Sequence, residues 1–229
     1  MNREDVQDTL QDRPRQSVGD MVYSIILKDI ITIQLVPGEK ISHVKIANQL
    51  GVSRSPVRSA IERLEAEKLI LRDENQYPYI APLNREDYLA ICEARKAVEG
   101  SAAYFASKRI NNEEVAELKR VLKKMGELES STIRNVDKMT ALDLRFHYTI
   151  LEASRNYYLI EMYNKIGNRV KRYRYYQMYK YEHNLLPSDF FSINDREHYA
   201  ILRAINSGLA TISRAEMESH IDNMRTYIV

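Results

Sequence analysis

GVSRSPVRSAIERLEAEKLI, residues 51–70, decides how the rest of this chain is read. Gly51 makes a tight turn, and Ser53 is a good N-cap for a helix running from Arg54 to about Glu67. Val57, Ile61 and Leu64 recur at helical spacing, giving one narrow apolar stripe that anchors the helix to something else. The opposite face opens with Arg54, Ser55 and Arg58. A helix anchored on one side, with hydroxyls and arginines at its N-terminal end, is built to enter a DNA major groove.

The flanking sequence supports this reading. The apolar run Val22 to Leu35 predicts a buried first helix, ended by Pro37-Gly38. Ser42 caps a short helix from His43 to Leu50, with Ile46 and Leu50 facing inward. After the 51–67 helix the period changes. Leu69 and Leu71, then Tyr79 and Ile80, flank the polar stretch DENQYP as in a short hairpin. Three helices and a hairpin make a winged helix-turn-helix over residues 17–82. Residues 1–16 are polar and read as a flexible arm.

The net charge of +2 does not itself indicate nucleic acid, and residues 1–83 carry 11 Lys/Arg against 12 Asp/Glu. The local balance is more telling. Residues 40–63 hold Lys40, Lys45, Arg54, Arg58 and Arg63 against Glu62 alone, and it is the local field that steers docking. A single cysteine, Cys92, excludes an internal disulfide and fits a reducing compartment. No apolar run approaches a membrane span, so a cytoplasmic protein with no membrane partner is expected.

From Asn84 onward strand signals vanish. Helices are predicted over 85–108, 112–129, 133–153, 156–182, 190–206 and 209–227, forming an antiparallel six- to seven-helix bundle across residues 83–229. The fold class is mainly α.

Four side chains in this half form a metal-ligand pattern. Asp143 and His147 stand four apart, on one helix face. His198 and His220 lie on two further helices. One carboxylate and three imidazoles suit a divalent ion, zinc first, with nickel and manganese as alternatives. Hydrogen-bonded core histidines are the competing explanation. Glu197 adjoins His198 but points about 100° away from it on a helix, so no general base stands out. Residues 165–181 hold six basic residues, five tyrosines and no acid. They read either as a nucleic-acid surface or as an amphipathic helix. In the second case Val170, Tyr173 and Gln177 face inward while lysines and arginines reach water.

PGEKISHVKIANQLGVSRSPVRSAIERLEAEKLI resembles the winged helix-turn-helix of GntR-family transcriptional regulators. EARKAVEGSAAYFAS and REHYAILRAINSG resemble parts of the FCD domain that defines the FadR branch of that family. The resemblance implies a homodimer joined through the helical domains on a palindromic operator in double-stranded DNA. By it, Ser53, Arg54, Ser55 and Arg58 contact DNA. Val44 stands where the family often has arginine, so Lys45 takes over the backbone contact. Gln76-Tyr77 replaces a common Arg-Gly pair at the wing tip. Asp143, His147, His198 and His220 match the ligands of the metal-containing FCD subgroup. Arg95 matches an arginine that pairs with an effector carboxylate, with a surface ion pair to Glu99 as the alternative, and Tyr173 is a candidate hydroxyl donor to that effector. The implied function is a transcriptional repressor controlled by a small organic acid. A metal-dependent enzyme tethered to a winged helix is the alternative.

Overall fold

The computed structural model describes residues 17–130, 135–187 and 189–227; the expected arm over residues 1–16 lies outside them. The chain divides into two compact units at Leu83/Asn84.

In the first unit, α1 (Val18–Ile31), α2 (His43–Leu50) and α3 (Arg54–Ala66) precede a hairpin of β1 (Ile70–Arg72) and β2 (Pro78–Ile80). The strands are antiparallel, pairing Ile70 with Ile80, Leu71 with Tyr79 and Arg72 with Pro78. Lys40 bridges to Tyr79 from outside the hairpin. The shared core contains Ile26 and Ile30 of α1, Ile46 and Leu50 of α2, and Val57, Ile61 and Leu64 of α3, closed by Ile70 and Ile80. Helix α1 corrects the expected span of Val22 to Leu35. It begins four residues earlier because the Ser17 hydroxyl accepts from Asp20 N. It ends at Ile31 because Ile33 turns left-handed at φ 61°, well before Pro37-Gly38. The apolar residues beyond Ile31 therefore belong to a turn.

Helix α3 is started by Gly51, left-handed at φ 69° as the turn requires. Pro56 falls in its first turn, where the missing N–H removes no helical bond. Ser53 occupies the N-cap position, yet its side chain makes no capping hydrogen bond. This departs from the role expected for it.

The second unit is helical: α4 (Arg85–Arg95), a π-helical turn (Lys96–Gly100), α5 (Ser101–Ala106), α6 (Asn112–Glu129), α7 (Val136–Ala153), α8 (Tyr157–Glu182), α9 (Phe190–Asn206) and α10 (Ala210–Met224), with a 3₁₀ turn over Arg225–Tyr227. Asparagines start four of these helices, with Asn84, Asn111, Asn135 and Asn156 each accepting from backbone N–H groups of the first turn. Asn111 and Glu114 complete a capping box. Helix α6 packs on α7 and α9, α7 on α8, and α10 on α5 and α9. The expected continuous helix over 85–108 is interrupted by the π turn, which the periodicity did not reveal. Such turns rotate the following side chains relative to a regular helix, and this one carries Glu99.

Leu64 is fully buried in the first unit's core. Leu64→Ala is expected to lower the stability of that unit by about 2–5 kcal/mol, measured by urea unfolding. A loss under about 1 kcal/mol would contradict the packing of α3 described here.

Candidate functional site

The first candidate site is the exposed start of α3. Ser53, Arg54, Ser55 and Arg58 are exposed, as is Lys45 on α2, while Val57, Ala60, Ile61 and Leu64 hold the opposite face in the core. The first-turn N–H groups and the positive end of the helix dipole favour a phosphate there. Because Ser53 is not spent on capping, its hydroxyl stays with this face. Arg58 lies 3.3 Å from Glu62, an exposed pair that solvent screens. The local positive balance is smaller in three dimensions than in sequence. Arg63 pairs with Asp20 at 2.6 Å and covers the Tyr23 ring, and Lys40 pairs with Asp73 at 3.1 Å. Lys45, Arg54 and Arg58 therefore carry the basic face. At the hairpin tip Gln76 is left-handed at φ 64°, and its carbonyl accepts from Arg72 at 2.8 Å. That arginine is committed to the hairpin.

The second candidate site lies inside the helical unit. His147 of α7, His198 of α9 and His220 of α10 are fully buried, and one ring nitrogen from each lies within 4.8 Å of the others. Two have their outer nitrogen fixed. His147 Nδ1 lies 2.6 Å from Glu99 Oε2, and His220 Nδ1 lies 2.9 Å from Glu197 Oε2. A carboxylate only accepts, so both Nδ1 atoms carry the proton and both Nε2 atoms offer a lone pair inward. His220 Nε2 and both nitrogens of His198 are buried without a hydrogen-bond partner. Buried polar atoms left this way are costly unless something binds them.

Asp143 lies at the edge of this cluster. Its Oδ1 is 3.7 Å from His198 Nε2, and its Oδ2 is 2.8 Å from Arg174 Nε. The structure thus gathers three of the four expected ligands tightly, with the fourth held by a guanidinium. Burial pushes the His198 imidazole down to about 3, and His220 falls in the same direction for the same reason. Both are neutral at physiological pH, the form in which imidazole binds a metal. Burial raises the Glu99 carboxyl, but Arg95 and His147 outweigh it and hold the group at about 2. Burial likewise raises Asp143, and Arg174 with the histidines brings it below its ordinary value. Neutral imidazoles, ionised carboxylates and unpartnered inward nitrogens fit a divalent ion.

The two residues expected at the effector fall differently. Arg95 is buried and grips Glu99, Nε to Oε1 at 2.6 Å and Nη2 to Oε2 at 3.3 Å. Its partner is the expected alternative, Glu99, but the pair is internal and leads directly to His147. Tyr173 is buried elsewhere: its hydroxyl is 2.8 Å from Asp87 Oδ2 and its ring packs tilted against Tyr88. No contact of Tyr173 with the histidine cluster occurs among the described residues. Sequence reading named Glu99 and Glu197 but not their contacts with His147 and His220, and it did not place Arg174 at the cluster. Helix α8 also corrects the expectation that its arginines reach water, because Arg172 and Arg174 are buried with Val170, Tyr173 and Gln177.

Comparison with known proteins agrees with both halves. Residues 19–76 match the model for bacterial regulatory proteins of the gntR family, and residues 90–223 match the FCD domain. The chain is 32% identical over 135 residues to the Nta operon transcriptional regulator of Aminobacter aminovorans, covering 59% of this chain and 63% of that protein. It is 25% identical over 232 residues to the Uxu operon regulator of Haemophilus influenzae, covering 95% and 83%. The solved structure of E. coli McbR/YncC shares the fold, with a TM-score of 0.75 at 19% identity over 93% of this chain and 97% of that one.

The depressed histidines make the metal-free protein acid-sensitive. Below about 6.5 the unfolded chain binds protons that buried His198 and His220 refuse, so stability is complete above that pH and falls as pH drops. Each histidine contributes a slope of roughly 1.4 kcal/mol per pH unit over this range. Urea titrations in EDTA at pH 7.5, 6.0 and 5.0 should show this loss, reduced in His198→Gln. A flat profile would contradict the buried neutral cluster.

Proposed function

The chain belongs to the gntR family of bacterial regulatory proteins, in the branch with an FCD domain, and from that premise we propose a metal-containing, acid-responsive repressor. Its family and relatives are transcriptional regulators and not enzymes. This removes the tethered-enzyme alternative, and it agrees with Glu197 being engaged by His220 and Asn223.

In the proposed reading, the α3 N-terminus enters the major groove. Arg54 and Arg58 reach base edges or phosphates, Ser53 and Ser55 donate to phosphate, and Lys45 contacts the backbone beside them. Two copies joined through their helical units would place two α3 helices on the half-sites of a palindrome. The chain would work in the cytoplasm; no helix among the described residues is long and apolar enough to cross a membrane.

His147, His198, His220 and Asp143 would hold a divalent ion, zinc first, with nickel or manganese as alternatives. The bound ion would supply a Lewis-acid contact for one carboxylate of a small organic acid. Glu99 and Glu197 keep two imidazoles in the ligating tautomer, and Arg95 keeps Glu99 ionised. Ligand binding at this centre would shift the protein toward a state with lower operator affinity, giving repression relieved by the acid. The observation that carries this reading is the buried cluster of three converging histidines in a chain whose other unit is a winged helix.

Three variants separate the halves. Arg54→Ala and Arg58→Ala should each weaken binding to the promoter of the protein's own operon by about tenfold or more, while leaving zinc content unchanged. His198→Ala should lose zinc while keeping the operator complex. Unchanged operator affinity in both arginine variants would remove the α3 assignment, and full zinc retention in His198→Ala would remove the metal assignment.

A further inference from the structure

Arg174 places a permanent cation at the histidine cluster. Its Nε is 2.8 Å from Asp143 Oδ2, and its Nη2 is 3.4 Å from His147 Nε2. Its Nη1 donates to Gln177 Oε1 at 3.3 Å. The side chain therefore touches two of the four groups assigned to the metal. The His147 nitrogen it faces is the one left for a ligand role, because Nδ1 is committed to Glu99. A guanidinium stays protonated and has no lone pair to offer, so it cannot itself ligate.

The charges around the cluster show why it is there. Arg95, Arg174, Glu99 and Asp143 are all buried, and their two positive and two negative charges cancel. Buried charge is tolerated when it is paired in this way. A dication added to this set leaves an excess of +2, offset in part by Glu197, which is only partly buried. It would also have to draw Asp143 away from its present partner.

We propose that Arg174 is a resident counter-cation that competes with the metal for Asp143. This rests on the metal reading above. In the metal-free protein the guanidinium neutralises Asp143 and covers His147 Nε2, so the cluster persists without an ion. An ion held by Asp143 and His147 would have to displace Arg174 from both. With an ion held there, Arg174 would remain beside it as a second positive charge, which suits an anionic ligand. Arg174 is in this sense a positioning residue for the metal and a binding residue for the acid.

The test is zinc affinity of the full-length chain, measured by competition with a chromophoric chelator, in wild type, Arg174→Gln, Asp143→Asn and the double variant. Arg174→Gln is expected to bind zinc at least about tenfold more tightly, because the competitor and its repulsion are gone. Gln keeps a donor for Asp143, and circular dichroism checks the fold. In the Asp143→Asn background the same change should give a clearly smaller gain, since only the cover on His147 and the repulsion are then removed. Unchanged or weaker zinc binding in folded Arg174→Gln overturns the proposal. So does an undiminished gain in the Asp143→Asn background, which would mean repulsion through space without competition for the carboxylate. If Arg174→Gln does not fold, Arg174→Lys serves. It keeps Asp143 paired but withdraws from His147, with about a threefold gain expected and no gain overturning the proposal. Wild-type protein that takes up no zinc would instead remove the metal reading itself.

Discussion

Glu99 is the group on which the helical unit's chemistry depends. It is a fully buried carboxylate, gripped by Arg95 on one side and by His147 Nδ1 on the other. A lone carboxylate could not remain ionised at that depth; with a guanidinium and an imidazole N–H it does. The consequence runs outward from this contact. Because Glu99 is ionised, His147 keeps its proton on Nδ1, and because it does, Nε2 faces the other two histidines. Glu197 does the same for His220 from α9. The π turn over Lys96–Gly100 carries Glu99 one turn along from Arg95, and Gly100 suits this crowded stretch. A Cβ there would lie 2.8 Å from Glu218 Oε1, so even alanine would require the Glu218 side chain to shift.

The two units use charge in opposite ways. In the winged helix, arginines that stabilise the fold, Arg63 and Arg72, are spent on Asp20, Glu65 and the hairpin carbonyl. Arg54 and Arg58 remain on the exposed face, where the helix N-terminus adds to their field. At the histidine cluster of the helical unit, Arg95, Arg174, Glu99 and Asp143 are buried and balanced among themselves. One surface presents positive charge to a polyanion, and one interior holds a neutral set of ions that a dication would unbalance. In the proposed reading the first is the output face and the second the sensing core.

Much of this was legible in the chain. The α3 face followed from Val57, Ile61 and Leu64 at helical spacing, and Asp143 and His147 from their separation of four. The Ser42 cap marked the start of α2. What was not legible depended on contacts between elements. Glu197 was rightly turned away from His198, but its partner His220 comes from another helix, and no spacing reveals that. The π turn left no mark in the apolar period. Arg174 is instructive because its position was readable. It stands four residues after Val170 and three before Gln177, both placed inward, and only the basic composition of the segment argued for water. The burial of an arginine becomes favourable once Asp143 is known to face it. Tyr173 failed for the reverse reason: it is buried as expected, but Asp87 takes its hydroxyl.

The claim that most needs direct proof is that three imidazoles converge on one ion. X-ray absorption at the zinc edge on the zinc-loaded, full-length protein reads the ligand set without reference to DNA or effector. Three histidine nitrogens with oxygen completing the shell are the expected result, the oxygen including a carboxylate contribution from Asp143. A shell with one imidazole or none, or one containing sulfur from Cys92, would contradict the assignment.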